Sequence, residues 1–278
     1  MNTVWRVAIT LQFDLPDYSI DWKPMSIKIA IPEPTSCDAE YNARSLPPYI
    51  AALQSSGAIP VLIPLHERQD RVAKLLSTTQ GVLLPGSRFD VDPERFNEPR
   101  IPECGPADPD RTSVDELLLQ DAFNLHKPIL AICHGVQTLN VWLNGTLIQD
   151  LNSVLKTSVN HSPGREVVEA HPVSIERKSL LGTLAAQTSE PITERVNSSH
   201  HQALGRIGDR LHVTAVSRDD RVVEAVELES PDHFVLGVQW HPERTFITSE
   251  LSRGLFRAFV QASARWRPTP ETTPEAAR

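Results

Sequence analysis

The sequence predicts a single α/β domain, a mostly parallel sheet covered by helices. Short apolar runs such as Gly81–Leu84 and Ile129–Ile132 alternate with segments of helical periodicity. No internal repeat and no linker divides the 278 residues, a length that suits one large α/β domain.

The elements follow in order. Trp5–Thr10 reads as the first strand, and Leu11–Ala39 as a long, irregular, Pro-rich excursion (11–40). Tyr41–Ser55 has a helical pattern and stops at Gly57. Ile59–Ile63 is a short or edge strand held between Pro60 and Pro64. Arg68–Leu76 can form a helix, and Gly81–Leu84 is a short buried strand. Six prolines from Pro85 to Pro109 make that segment a surface loop. Val114, Leu117, Leu118, Ala122 and Leu125 then share one face of a helix. Ile129–Ile132 is a fully apolar strand, and Val136–Leu143 returns to helix.

From residue 166 the pattern turns β-rich, with strands expected at Val167–Ile175, Leu211–Ser217, Val222–Leu228 and Phe234–Trp240. Leu251, Leu255, Phe256, Phe259 and Val260 form a last amphipathic helix. Ser249 is its expected N-cap, and Glu250 suits the positive end of the helix dipole. The domain thus spans 1–266, and the tail 267–278, with Pro268, Pro270 and Pro274, reads as disordered.

Composition narrows the partners. Hydrophobic content of 40% and charged content of 22% exclude disorder as the dominant state. A net charge of −8 without a Lys/Arg run argues against a nucleic-acid footprint. No apolar stretch reaches the ~18 residues of a membrane span, and the N-terminus lacks the apolar core of a signal peptide. Three cysteines at no metal or disulfide spacing predict reduced thiols and a cytoplasmic protein.

The run Pro128-Ile-Leu-Ala-Ile-Cys-His-Gly-Val-Gln137 is the most informative. An apolar strand delivers Cys133, and a helix begins at once with Gly135 two residues on, the layout of a nucleophile elbow. A helix N-terminus favours negative charge, and the thiolate is the reactive form of cysteine. The alternative for Cys133 is a buried core thiol at a strand end. Phe234-Val-Leu-Gly-Val-Gln-Trp-His-Pro-Glu243 offers a base and its orienting group. Glu243 accepting from one ring nitrogen of His241 leaves the other to take the cysteine's proton. Apart from an elbow cysteine, the pair would be a strand-end histidine and an exposed carboxylate.

The patterns Cys-x-Gly-x-Gln at Cys133–Gln137 and Gly-Val-Gln-Trp-His-Pro-Glu at Gly237–Glu243 resemble class I glutamine amidotransferase-type cysteine hydrolases. Within that superfamily the sequence is most similar to γ-glutamyl-γ-aminobutyrate hydrolases. The segments Leu83–Pro93, Gly145–Leu151 and Val196–Gln202 carry the narrower likeness, and so does Trp240. It runs collinearly from about residue 41 to 262.

This resemblance implies a flavodoxin-like three-layer sandwich and a triad of Cys133, His241 and Glu243. It implies an oxyanion hole at the backbone N–H groups of Gly86, Ser87 and His134. Gln137 would sit beside the substrate amide, and Asn197, Ser198, Ser199 and His200 would help hold the glutamyl amino-acid end. Three features depart from the family pattern. A Pro-Gly-Ser-Arg loop with one extra residue replaces Pro-Gly-Gly, His134 stands where close relatives often have Arg, and the 11–39 excursion is longer.

Other candidates have plainer readings. His200-His201 invites a metal, but no further His/Asp/Glu spacing completes a shell, so no metal and no cofactor is expected. Cys37 and Cys104 read as incidental exposed thiols, with Cys104 placed near the site by its loop. Asp90, Asp92 and Asp108 read as turn carboxylates. No Gly-rich phosphate loop is present.

The leading expectation is a stand-alone γ-glutamyl hydrolase acting on a small-molecule γ-glutamyl compound through a γ-glutamyl thioester, with putrescine degradation as the setting its relatives suggest. It uses no nucleic acid and no membrane, and a homo-oligomer is compatible with it. The rivals are a glutaminase subunit that feeds ammonia to a separate synthase, and a non-catalytic binding protein on the same fold.

Overall fold

The computed structural model describes residues 26–185 and 192–268. The strand expected at Trp5–Thr10 lies outside these residues, as does the tail beyond Pro268. The described chain opens with β1 at Ile27–Pro32, inside the segment read as an irregular excursion. That expectation is corrected over those six residues. Its run Ile27-Lys-Ile-Ala-Ile is an apolar strand that the flanking Pro-rich composition obscured.

The order continues α1 (Ala39–Ser55), β2 (Ala58–Ile63), α2 (Gln69–Leu76), β3 (Gly81–Leu84), α3 (Pro109–Leu125), β4 (Ile129–Ile132) and α4 (His134–Trp142). It ends β5 (Leu147–Ile148), α5 (Leu151–Val154), β6 (His171–Ile175), α6 (Leu180–Leu184), β7 (Ile192–Val196), β8 (Ala203–Leu204), β9 (Leu211–Ser217), β10 (Val223–Leu228), β11 (Val235–Val238) and α7 (Glu250–Arg265). Between β3 and α3 the Pro-rich segment is loop, with one 3₁₀ turn at Pro93–Phe96. Ser249 caps α7 by accepting from the Ser252 N–H.

One nine-stranded sheet has the order β2-β1-β3-β4-β11-β10-β9-β6-β7, and β5 and β8 form a separate two-stranded ribbon. From β2 to β11 every pairing is parallel; from β11 outward every pairing is antiparallel. The predicted parallel α/β core is therefore present, extended by an antiparallel wing. β2 is an edge strand, as Pro60 within it and Pro64 just past it suggested.

Two apolar clusters explain why the central strands are apolar throughout. Leu130 and Ile132 of β4 pack with α1 and α7 on one face. Ile129 and Ala131, one residue out of step, pack with α2, α3 and α4 on the other. A strand covered by helices on both faces has no polar side to present. Among the described residues, no helix is long and apolar enough to cross a membrane.

Three adjacent parallel strands, β3, β4 and β11, end at the same edge of the sheet. Gly86, Cys133 and His241 follow them by one to three residues. Ligands of open α/β sheets bind outside these carboxyl ends.

Candidate active site

Cys133 sits between β4 and α4 with φ 54° and ψ −109°, a left-handed conformation that costs a β-carbon-bearing residue on the order of 1–3 kcal/mol. Its neighbours hold it there. The Cys133 N–H donates to Val238 O at 2.8 Å, which extends the β4–β11 ladder by one bond. The next residue already begins α4, and the turn is tight enough that a Cβ on Gly135 would collide with the Leu84 carbonyl oxygen. The strand–turn–helix geometry of the elbow is thus present.

His241 and Glu243 are both buried, and Glu243 Oε1 accepts from His241 Nδ1 at 2.8 Å. The Cys133 side chain lies beside the same imidazole, near enough for its charge to act on the ring. Burial disfavours the charged imidazole, but Glu243 and Cys133 outweigh it and raise the His241 pKa to about 9. Burial likewise opposes the Glu243 carboxylate, and the His241 imidazolium reverses this and lowers its pKa. The three residues that the sequence placed 108 and 2 positions apart therefore form one coupled acid–base chain.

Gly86 packs into the middle of this group. A Cβ at Gly86 would lie 3.0 Å from His241 Cε1 and 3.6 Å from Cys133 Cβ. Its N–H donates to the Tyr49 hydroxyl at 3.0 Å. That bond engages the Gly86 N–H with Tyr49 in this structure. The His134 N–H, at the first position of α4, has no intrahelical acceptor. The His134 side chain is buried, and burial pushes its pKa well below the usual value, so it carries no charge where relatives often carry Arg.

The residues opening on Cys133 enclose a cavity of about 420 Å³. Gln137, Ser199 and His200 line it, as expected, together with Ser87 and His134. Gln137 Nε2 donates to Gln202 O at 2.9 Å and to Gln239 Oε1 at 3.2 Å, which fixes the amide's orientation. Asn197 and Ser198, also expected at the substrate, are not among the residues lining this cavity. Asn197 instead clamps the backbone of His241, accepting from its N–H at 2.9 Å and donating to its C=O at 2.8 Å. The Ser198 hydroxyl donates to His161 O at 2.6 Å.

Asn197→Ala would strand two buried backbone groups, at about 1–3 kcal/mol for such a loss. Thermal unfolding should then show a Tm about 4–8 °C below wild type. An unchanged Tm would rule out the clamp.

Residues that sequence reading missed complete the site. Arg44, Arg88, Arg165 and Arg244 line the cavity. Arg111 is fully buried behind it, with Nε on Asp115 at 2.8 Å, Nη1 on Pro34 O at 2.9 Å and Nη2 on Pro85 O at 2.7 Å. It thereby holds the carbonyl immediately before Gly86. Only its Asp115 partner, four residues on in α3, is local; the carbonyl acceptors lie 77 and 26 residues away and leave no local pattern in the chain.

The carboxylates expected in turns behave as such. Asp92 and Asp108 cap the 3₁₀ turn and α3. Asp90 accepts from the Gly105 N–H and pairs with His201. Cys37 is exposed as expected, whereas Cys104 is buried and accepts from Gln202 Nε2 at 3.6 Å. The loop folds back so that Cys104 lies directly behind a cavity residue, which corrects its reading as an exposed thiol.

One expectation about histidines is overturned. His200 does have partners of the kind that bind metals: His161, His171 and Glu224 converge on it from three other segments. Sequence spacing could not show this, because the antiparallel wing makes those contacts.

Comparison with known proteins agrees with this geometry. The Peptidase C26 family model matches residues 31–243. Protein NtpR of Enterococcus hirae is 35% identical over 215 residues, covering 77% of this chain and 87% of that protein. The γ-glutamyl-γ-aminobutyrate hydrolase PuuD of Escherichia coli K12 is 33% identical over 220 residues, covering 77% and 84%. In fold, the glutaminase domain of Trypanosoma brucei CTPS, solved with bound acivicin, superposes with a TM-score of 0.55 at 19% identity over 88% of this chain and 96% of that one. The chain therefore belongs to the Peptidase C26 family of class I glutamine amidotransferase-like hydrolases.

Proposed function

We propose that the chain hydrolyses the side-chain amide of γ-glutamyl compounds. The observation that carries this reading is the Cys133–His241–Glu243 chain opening on a closed-bottomed cavity lined by Gln137 and four arginines. Cys133 passes its thiol proton to His241 as its sulfur attacks the γ-carbonyl carbon, and the oxyanion that forms accepts from the Ser87 and His134 amides. Collapse of that intermediate breaks the C–N bond, and the His241 imidazolium gives its proton to the leaving amine. The γ-glutamyl thioester is then attacked by water, whose proton passes to the now neutral His241. Cleavage of the C–S bond releases glutamate and returns the thiol–imidazole pair. Glu243 stays ionised throughout, orienting the ring and stabilising its charged form.

The arginines bear on the substrate's charge. Arg88 is paired with Asp38, and Arg244 approaches Glu243 at 3.6 Å. Arg44 stacks over the Tyr41 ring and Arg165 reaches the Arg44 carbonyl, and neither guanidinium forms an ion pair with a carboxylate among the described residues. A cavity with this cationic wall suits a substrate with carboxylates at both ends, as a γ-glutamyl ω-amino acid has. The resemblance to PuuD favours the same class.

Steady-state kinetics of the purified full-length chain, without partner protein or ATP, tests the reading. The comparison is γ-glutamyl-γ-aminobutyrate, the γ-glutamyl amide of an uncharged amine of equal length, and glutamine. The expected order in kcat/KM is the dicarboxylate first, by about 10- to 100-fold over the neutral analogue. Turnover of glutamine alone, and only on addition of a second protein, would replace this reading with that of an amidotransferase subunit.

A further inference from the structure

The geometry points to a metal site: His161, His171, His200 and Glu224 bind one divalent transition-metal ion of the Zn²⁺ class behind the wall of the cavity. Their ligand atoms all lie within 4.8 Å of one another, and all four residues are buried. His161 lies in the loop after α5, His171 begins β6, His200 follows β7, and Glu224 is on β10.

The distances have the pattern of a coordination polyhedron. Glu224 Oε1 is 3.4 Å from His161 Nδ1, 3.3 Å from His171 Nε2 and 3.8 Å from His200 Nε2. Zinc–ligand bonds of about 2.0–2.1 Å in a tetrahedron give ligand–ligand edges of about 3.3–3.4 Å. Two edges match that length, and the third is within reach of a small rotation of His200. An N₃O donor set of this kind suits Zn²⁺ and the neighbouring first-row divalent ions.

Tautomers make the same demand. His161 Nε2 faces Asp220 Oδ2 at 2.9 Å, and His200 Nδ1 faces Gln202 O at 2.9 Å. A carboxylate and a carbonyl only accept, so both of those nitrogens carry the hydrogen. With both rings neutral, the inner nitrogens would be lone pairs aimed at the Glu224 carboxylate. Lone pairs converging on an anion repel unless a cation lies between them. Consistently, His161 Nδ1, His171 Nε2, His200 Nε2 and both Glu224 oxygens are buried without a hydrogen-bond partner. A single proton on His161 would satisfy one edge and leave the other two. The carbonyl and carboxylate on the outer nitrogens are also the partners that metal-bound imidazoles use to set their orientation.

The ion would tie together four segments of the antiparallel wing and its loops. His161 O already accepts from the Ser198 hydroxyl and the His200 N–H, so the site would fix both the loop that carries Arg165 and the strand end that carries Ser199. Its role is structural, because all four positions are protein ligands and none is left for substrate.

The test uses tag-free, full-length protein. Elemental analysis after dialysis should find about one zinc-class ion per chain, and His171→Ala and Glu224→Gln should lower that at least tenfold. Wild-type protein stripped with excess dipicolinate should regain the ion in a calorimetric titration with ZnCl₂, with Tm rising by on the order of 10 °C. Co²⁺ in its place should show the intense visible absorption of four-coordinate cobalt. The wild-type apo and loaded pair decides the matter even where a variant does not fold. Absence of heat, of a Tm change and of copurifying metal would overturn the site and leave a protonated histidine–carboxylate cluster. Wild-type stoichiometry in both variants would overturn it as well. Neither result depends on whether γ-glutamyl amides are substrates.

Discussion

His241→Ala should lower turnover of the γ-glutamyl substrate by about 10⁴-fold or more, while Glu243→Gln should be about 10- to 100-fold less damaging. The asymmetry follows from the positions of the groups. In the proposed mechanism His241 moves the protons, whereas Glu243 acts on the reaction only through the imidazole it holds. The pH profile separates the roles further. His241 has a pKa of about 9, above its ordinary value of about 6.5, and the imidazolium is the form that protonates the leaving amine. In wild type, kcat/KM should therefore fall as pH rises through about 9. Glu243→Gln removes the main group that raises this pKa, so the basic limb should move to lower pH. The same shift bears on stability with a defined sign: the raised pKa stabilises the folded chain fully below about 6.5, and this is lost as pH rises through about 9. Wild-type kinetics in His241→Ala, with folding intact, would reject the proposed triad.

Arg111→Ala should be the most destabilising single truncation near the site, at about 3–5 kcal/mol. It leaves Asp115 as a buried carboxylate without its cation, and Pro34 O and Pro85 O without donors. Burial already raises the Asp115 pKa even with the guanidinium beside it. A drop in Tm of about 10 °C is expected by calorimetry. Arg111→Lys should recover part of it, since one ammonium keeps the charge but cannot reach three acceptors in a plane. Because the lost Pro85 contact adjoins Gly86 and Ser87, kcat should fall in both variants more than KM rises. A Tm within about 1 °C of wild type for Arg111→Ala would refute this account.

These two residues mark how far the chain could be read without its fold. Cys133 was legible because an elbow is local: an apolar strand, a cysteine, a glycine two residues on and an immediate helix need no distant partner to be recognised. His241 and Glu243 were legible for the same reason, being two positions apart beyond an apolar strand. The parallel core was legible because strands buried on both faces are apolar at every position. β7 was not, since its charged Glu194-Arg195 pair suits an edge strand and breaks the apolar pattern.

What the sequence determined by itself was therefore the set of local devices: the elbow, the histidine–glutamate pair, the capped α7 and the apolar strands of the parallel half. Tertiary structure alone decided which groups face the cavity and which face the core. Asn197 and Ser198 turn inward, the Gly86 amide goes to Tyr49, Arg111 gathers two distant carbonyls, and His161, His171, His200 and Glu224 meet across the antiparallel wing. The physical reason is range. Periodicity, caps and elbows are set by neighbours within a few residues along the chain. The partner of a buried polar group is set by whichever strand the sheet lays beside it, and that choice has no local signature.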